Sequence, residues 1–148
     1  MEELLGIRDL EVSFPRGRPQ RQAGAGRMPA EADADSPPAS DGAARALRGI
    51  ELTLAPGEVH GLVGESGSGK TVTATCVLGL LPMPPGRIDR GRILFEGRDL
   101  LAMSEAERRR YRGRNLAMIF QEPGKYLNPA LRNGEQIVEM LRLHLGLE

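Results

Sequence analysis

An α/β fold is what this sequence predicts, on three observations: apolar alternation ahead of residue 55, a short apolar run ending in glycine, and a helical stretch soon after it. Leu10, Val12 and Phe14 alternate with polar residues, and Leu47, Ile50, Leu52 and Leu54 precede a Pro56-Gly57 turn, so two paired strands are expected. Val59 to Val63 reads as a short buried strand. Lys70 to Leu81 reads as a helix stopped by Pro82, because proline cannot continue the hydrogen-bond ladder.

The later elements follow by the same reasoning. Arg92 to Phe95 is a strand leading to a Gly97 turn. Ser104 and Glu107 have the spacing of a capping box, in which each side chain accepts from the other residue's backbone amide, and they open a charged helix through Arg112. Leu116 to Phe120 reads as another buried strand. Asn133 to Leu145 places Ile137, Met140, Leu141, His144 and Leu145 on one helical face. No internal repeat is visible.

Composition narrows what the chain can do. Its 148 residues are 40% hydrophobic, which suits one domain with a modest core. Basic and acidic residues balance at 20 each, so no overall field favours nucleic acid or an anionic membrane, and no nucleic-acid partner is expected. Cys76, the single cysteine, has no internal partner for a disulfide and is expected in the core, and two histidines far apart have no metal-ligand spacing. Both fit a reducing cytosol. The N-terminus lacks the basic-then-apolar pattern of a secretion signal, and no apolar run approaches the ~18 residues that would span a bilayer. Work at a membrane would therefore be done by docking.

Residues 16–45 have a different character. Met28 is the only large apolar side chain there, and burial would not offset the roughly 1 to 2 kcal/mol per residue of backbone ordering, so a disordered insertion is expected. Arg16, Arg18, Arg21 and Arg27 lie in its first half and Glu31, Asp33, Asp35 and Asp41 in its second. A basic arm for phosphates and a solvated loop are the two readings, and the mixed charge favours the loop.

The segment Gly64-Glu65-Ser66-Gly67-Ser68-Gly69-Lys70-Thr71 fits the phosphate-loop pattern G-x-x-x-x-G-K-[ST] at every fixed position. Glycines at 64, 67 and 69 permit positive φ and leave no Cβ in the way, so successive backbone amides can converge on one anion. The helix that starts near Lys70 adds its positive dipole end. Lys70 is expected to reach the β and γ phosphates of ATP, and the Thr71 hydroxyl to ligate the bridging Mg²⁺. A flexible Gly/Ser turn is the competing reading. The strand running into the loop and the helix leaving it argue for nucleotide binding.

Residues outside the loop decide the subclass. "LAPGEVHGLVGESGSGKT", "GRILFEGRDL" and "MIFQEP...LNP" occur in an order and spacing that resemble the ABC ATPases, and within them the oligopeptide and dipeptide importer group. The resemblance covers Leu4 to Phe14 and Arg45 to Glu148. It implies a three-layer P-loop NTPase core, a small N-terminal antiparallel β subdomain near the adenine, and the start of a helical subdomain at residues 133–148. It also implies that Gln121 is the Q-loop glutamine, whose neutral amide can offer oxygen to Mg²⁺ or to the attacking water. A polar strand terminus is the alternative for Gln121. By the same resemblance Glu122 to Asn128 would meet the permease, although Gly124-Lys125-Tyr126 stands where the importer group commonly has Met-Thr-Ser. Phe14 is similar in position to the aromatic that stacks on adenine, with continuation of the core stripe as the competing role. Tyr111 and Tyr126 are expected to be surface or packing residues.

An ABC ATPase also uses an Asp-Glu pair after an apolar strand, an LSGGQ-like signature and a switch histidine, and none of these stands in the 148 residues. The chain is accordingly expected to be a truncated part of a nucleotide-binding domain that binds nucleotide without hydrolysing it. The resemblance implies an intact protein that dimerises with a second ATPase subunit and docks on integral permease subunits at the cytoplasmic face of the membrane. There it would couple ATP hydrolysis to import of peptides or similar small solutes. Two alternatives stay open: a non-transport ABC ATPase, which a coiled-coil or basic extension would support, and a remnant that binds no nucleotide stably.

Overall fold

A computed structural model of the chain describes residues 3–15 and 43–146. Its centre is strand β1 (Leu5–Pro15), flanked by β2 (Ala43–Leu54) and β3 (Arg87–Phe95), with a two-residue β4 (Arg98–Asp99) on the outer edge of β3. The order is β2-β1-β3-β4, and every pairing is antiparallel. Two predicted strands thus pair as expected, and the third runs five residues further toward the N-terminus than its apolar stretch indicated.

Strict alternation would not bury both Ile7 and Leu10, which are three positions apart, yet each is 1% exposed or less. The register shifts between them, and Asp9 sits at φ 47 in the shift. A bulge of this kind adds one residue to the strand and returns the next side chain to the inner face. The sheet's inner face then carries Ile7, Leu10, Val12, Leu47, Ile93 and Phe95, with Cys76, Leu81 and Leu100 closing over it.

Helix α1 (Lys70–Val77) contributes Cys76 to that core. It ends four residues before the predicted stop at Leu81. Gly79 (φ 61) donates to the Cys76 carbonyl oxygen at 3.0 Å and Leu80 to that of Thr75 at 2.8 Å, the bond pair by which a left-handed glycine closes a helix. Helix α2 (Glu105–Tyr111) starts at the predicted capping box, with the Ser104 amide donating to Glu107 Oε2 at 2.8 Å. Tyr111 at its end stands edge-on to Phe95, ring centroids 6.0 Å apart. A short 3-10 helix (Pro123–Tyr126) and α3 (Asn133–Leu145) complete the described elements.

Two predicted strands do not form. Val59 is 98% exposed, Val63 95% and Ile119 90%, and the only bridge near 116–120 joins Leu116 to Arg112. An apolar run becomes a strand only beside a chain that takes up its backbone hydrogen bonds. Among the described residues no strand pairs with either run, and only Leu116, at the start of the second, has its backbone taken up, by Tyr111 and Gly113. Of the expected three-layer core, the described residues form the antiparallel sheet and the helices. The apolar face of α3 is present as predicted but outward, with Ile137 61% and Leu145 65% exposed.

The expected insertion, residues 16–45, falls almost wholly outside the described residues. Its last three residues belong to β2 instead: Ala43, Ala44 and Arg45 pair with Pro15, Phe14 and Ser13. Strand pairing runs through the backbone, so small side chains with nothing to bury still extend the ladder.

Candidate phosphate site

The loop Gly64 to Thr71 leads directly into α1, and its geometry is set from below. At Gly69, φ is 92 and ψ is -1, a left-handed conformation that turns the chain into the helix. A Cβ there would stand 2.6 Å from Leu47 Cδ2 and 3.0 Å from the Ala46 carbonyl oxygen, so the loop rests against β2 with no room for a side chain. Thr73 locks the first turn from the buried side, with its amide 2.8 Å and its hydroxyl 3.0 Å from the Gly69 carbonyl oxygen.

The three glycines differ in their reasons. Gly67 adopts φ 85 in open space, which is a purely conformational demand. Gly64 is not among the positive-φ residues, so of the two reasons expected for a glycine there, conformational freedom and the absence of a Cβ, only the second applies. Its constraint is one of space, because a Cβ would meet Ser68 Oγ at 2.6 Å and approach Lys70 Nζ to 3.9 Å. A side chain there would fill the cradle that the loop makes.

Lys70 closes that cradle. Its Nζ donates to the carbonyl oxygens of Gly64 and Glu65, each at 2.7 Å, and to Ser68 Oγ at 3.2 Å, while the Ser68 amide donates to Glu65 O at 3.2 Å. No side chain caps the start of α1 and no carboxylate lies in its first turn, so the positive end of the helix is left uncompensated beside the ammonium group. Glu65, Ser66, Gly67, Ser68 and Thr71 are exposed. A cationic loop kept open by absent Cβ atoms, at the uncapped start of a helix, fits a polyphosphate.

The other predicted site residues make no hydrogen bond to the loop among the described residues. Gln121 is exposed, just before Glu122 (φ 58), and among the described residues no hydrogen bond joins it to Lys70 or Thr71. Phe14 is half-buried and packs against the core, as the stripe of Leu10 and Val12 foreshadows; its Cε1 would touch a Cβ on Gly86 at 3.0 Å. Tyr111 is a packing residue against Phe95, as expected. Cys76 is buried, and desolvation pushes its thiol up to about 11. Among the described residues no three His, Cys, Asp or Glu gather as a metal site, and no helix is long and apolar enough to cross a membrane.

Sequence reasoning missed the support at the far end of α1. Arg112 donates from Nε to the Leu78 carbonyl oxygen at 2.6 Å and from one terminal nitrogen to that of Gly79 at 2.9 Å, while its other nitrogen pairs with Glu105 Oε1 at 2.6 Å. A cation at a helix C-terminus is the available signal, but it lies more than thirty residues away in sequence.

Comparison with known proteins agrees with this geometry. The family model described as ABC transporter matches residues 47–144, which include the whole phosphate loop. The oligopeptide transport ATP-binding protein OppD of Bacillus subtilis (strain 168) is 50% identical over 103 residues, covering 70% of this chain and 29% of that protein. The dipeptide transport ATP-binding protein DppD of the same organism is 37% identical over 144 residues, covering 97% of this chain and 36% of that protein. The peptidoglycan transport ATP-binding protein YejF of Agrobacterium fabrum (strain C58 / ATCC 33970) is 41% identical over 146 residues, covering 99% of this chain and 22% of that protein. The chain spans about a third or less of the length of these curated relatives. With a family match over most of its length and a phosphate loop seated on its central sheet, the chain belongs to the ABC transporter family.

Proposed function

We propose that these residues bind the polyphosphate of Mg-ATP within an ABC nucleotide-binding domain, of which residues 133–148 open the helical subdomain. The observation that carries this reading is the Lys70 ammonium group, whose three hydrogen-bond partners all belong to the loop that ends at the start of α1. An ammonium held by carbonyl and hydroxyl oxygens can exchange them for phosphate oxygens without being left unpaired. The amides of Gly67, Gly69 and Lys70 and the uncapped first turn of α1 share the anion's charge. Thr71 offers its hydroxyl to Mg²⁺ from that first turn, Gln121 offers its amide oxygen, and Phe14 offers a ring face on which adenine stacks. Bound ATP supplies the phosphoanhydride bond whose cleavage releases free energy.

In the intact protein this domain is the ATP-hydrolysing subunit of an importer for peptides or similar small solutes. It pairs with a second ATPase subunit and works peripherally on the cytoplasmic face of the membrane, against integral permease subunits. The printed names of the relatives, which concern oligopeptide, dipeptide and peptidoglycan transport, support that substrate class. Balanced charge supports a protein partner over nucleic acid.

Calorimetric titration of the 148-residue chain with Mg-ATP tests the site. Binding weakened by about tenfold or more in Lys70→Ala is the expected outcome, since a charge-assisted contact is lost. Equal affinity in both proteins would overturn the assignment.

A further inference from the structure

The aromatic rings of Phe120 and Tyr126 stack with centroids 4.4 Å apart and planes 24° apart. Between them lies the short turn that begins with Gln121. Glu122 takes a left-handed conformation, Pro123 opens the 3-10 helix, and the Lys125 amide donates to the Glu122 carbonyl oxygen at 3.0 Å. The side chains of Glu122 and Lys125 form an ion pair across the same turn. The rings therefore close the base of a loop whose first residue is Gln121.

The other side of the stack is tied to α3. Asn128, two residues after Tyr126, donates its amide to Gln136 Oε1 at 2.9 Å, and Gln136 Nε2 donates back to the Asn128 carbonyl oxygen at 3.2 Å and to that of Leu131 at 3.3 Å. Tyr126 is thus the joint between a segment anchored on α3 and the residue that precedes the turn. It is 62% exposed, so core packing does not account for its place. Gln121 itself is exposed and stands directly between Phe120 and the turn.

We infer that Tyr126 is a positioning residue for Gln121: its ring, stacked on Phe120, holds the turn in the form that presents the Gln121 amide toward a nucleotide-bound Mg²⁺. The inference rests on the reading of Gln121 as an oxygen donor to that metal. A planar partner is what the stack requires, and the phenol hydroxyl is not needed for it.

The test is the ratio of ATP affinities with and without Mg²⁺, measured on the 148-residue chain by titration in magnesium and in EDTA. Gln121→Ala is expected to lower the ratio, because it removes the amide that faces the metal. Tyr126→Ala is expected to lower it by about three- to tenfold, the range of an aromatic pair, while leaving affinity in EDTA unchanged. Tyr126→Phe keeps the ring and is expected to keep the ratio. Adding Tyr126→Ala to Gln121→Ala is expected to produce no further change, as coupled residues should. A wild-type ratio in Tyr126→Ala, or an equal loss when Gln121 is already absent, would overturn the inference. Failure of the underlying site looks different: Mg-ATP would then bind wild type and Lys70→Ala alike. Circular dichroism of each variant separates loss of fold from loss of positioning.

Discussion

Arg112 Nε lies 2.6 Å from the carbonyl oxygen of Leu78, so the C-terminal end of the helix that begins at the phosphate loop is held by a side chain from the residue after α2. The guanidinium serves two carbonyl oxygens of α1 and the carboxylate of Glu105 together. It joins the two helices through groups that would otherwise lack partners at a helix end.

Replacing Arg112 with methionine is expected to lower stability by about 1 to 3 kcal/mol, the cost of losing charge-assisted hydrogen bonds to partly buried carbonyls. Thermal unfolding checks it, and Arg112→Lys, which keeps charge but loses the fork, is expected to fall between. The hydrogen bond from Arg112 also holds the Glu105 carboxyl below its ordinary 4.5. The folded-state value is the lower one, so this contribution is present above about pH 4.5 and is lost as pH falls through the depressed value. Arg112→Met should therefore show a shallower loss of stability in acid than wild type.

Gly69→Ala is expected to destabilise by about 1 to 3 kcal/mol through its left-handed backbone alone. The new methyl would also meet Leu47 Cδ2 and the Ala46 carbonyl, so β2 or the loop must shift. Chemical denaturation measures the first effect, and Mg-ATP affinity should fall with it. Gly67→Ala, at positive φ but in open space, is expected to bear the backbone cost without the clash.

Much of this was legible in advance and some was not, for identifiable reasons. The phosphate loop, the β1–β2 pair and the Ser104–Glu107 box are local patterns, so spacing alone reveals them. The end of α1 is set by Gly79, whose left-handed backbone stops the helix three residues before the proline at 82 would have to. Residues 59–63 and 116–120 have strand-like composition, but a strand is a relation between two chains, and composition describes only one of them. Arg112 acts through a distant neighbour, Leu78, which no short window of sequence brings beside it, and the space that Gly64 must leave for Ser68 depends on how the loop is folded rather than on their spacing.

Cys76 provides a reading in alkali. Burial raises its thiol from 9.0 to about 11, so the folded chain keeps the proton in a range where the unfolded chain releases it. Stability is therefore full below about pH 9.0 and declines as pH rises toward 11. Cys76→Ala should flatten that decline in melts across the range. A thiol reagent should label native protein slowly and unfolded protein at once.

The 148-residue chain, incubated with Mg-ATP, is expected to release no phosphate above background, because it contains no Asp-Glu pair after an apolar strand to polarise a water. A colorimetric phosphate assay checks this. Turnover abolished by Lys70→Ala would show that a base exists within these residues.

Pro15 and Ala43 face each other across the β1–β2 ladder. The two ends of the sequence that joins them therefore already stand side by side, on one threshold. Closing a longer excursion costs only a slowly growing entropy, roughly 0.6 kcal/mol per doubling. A change of length between the two positions is therefore expected to leave the strand register in place, and with it the shelf that Leu47 forms under Gly69.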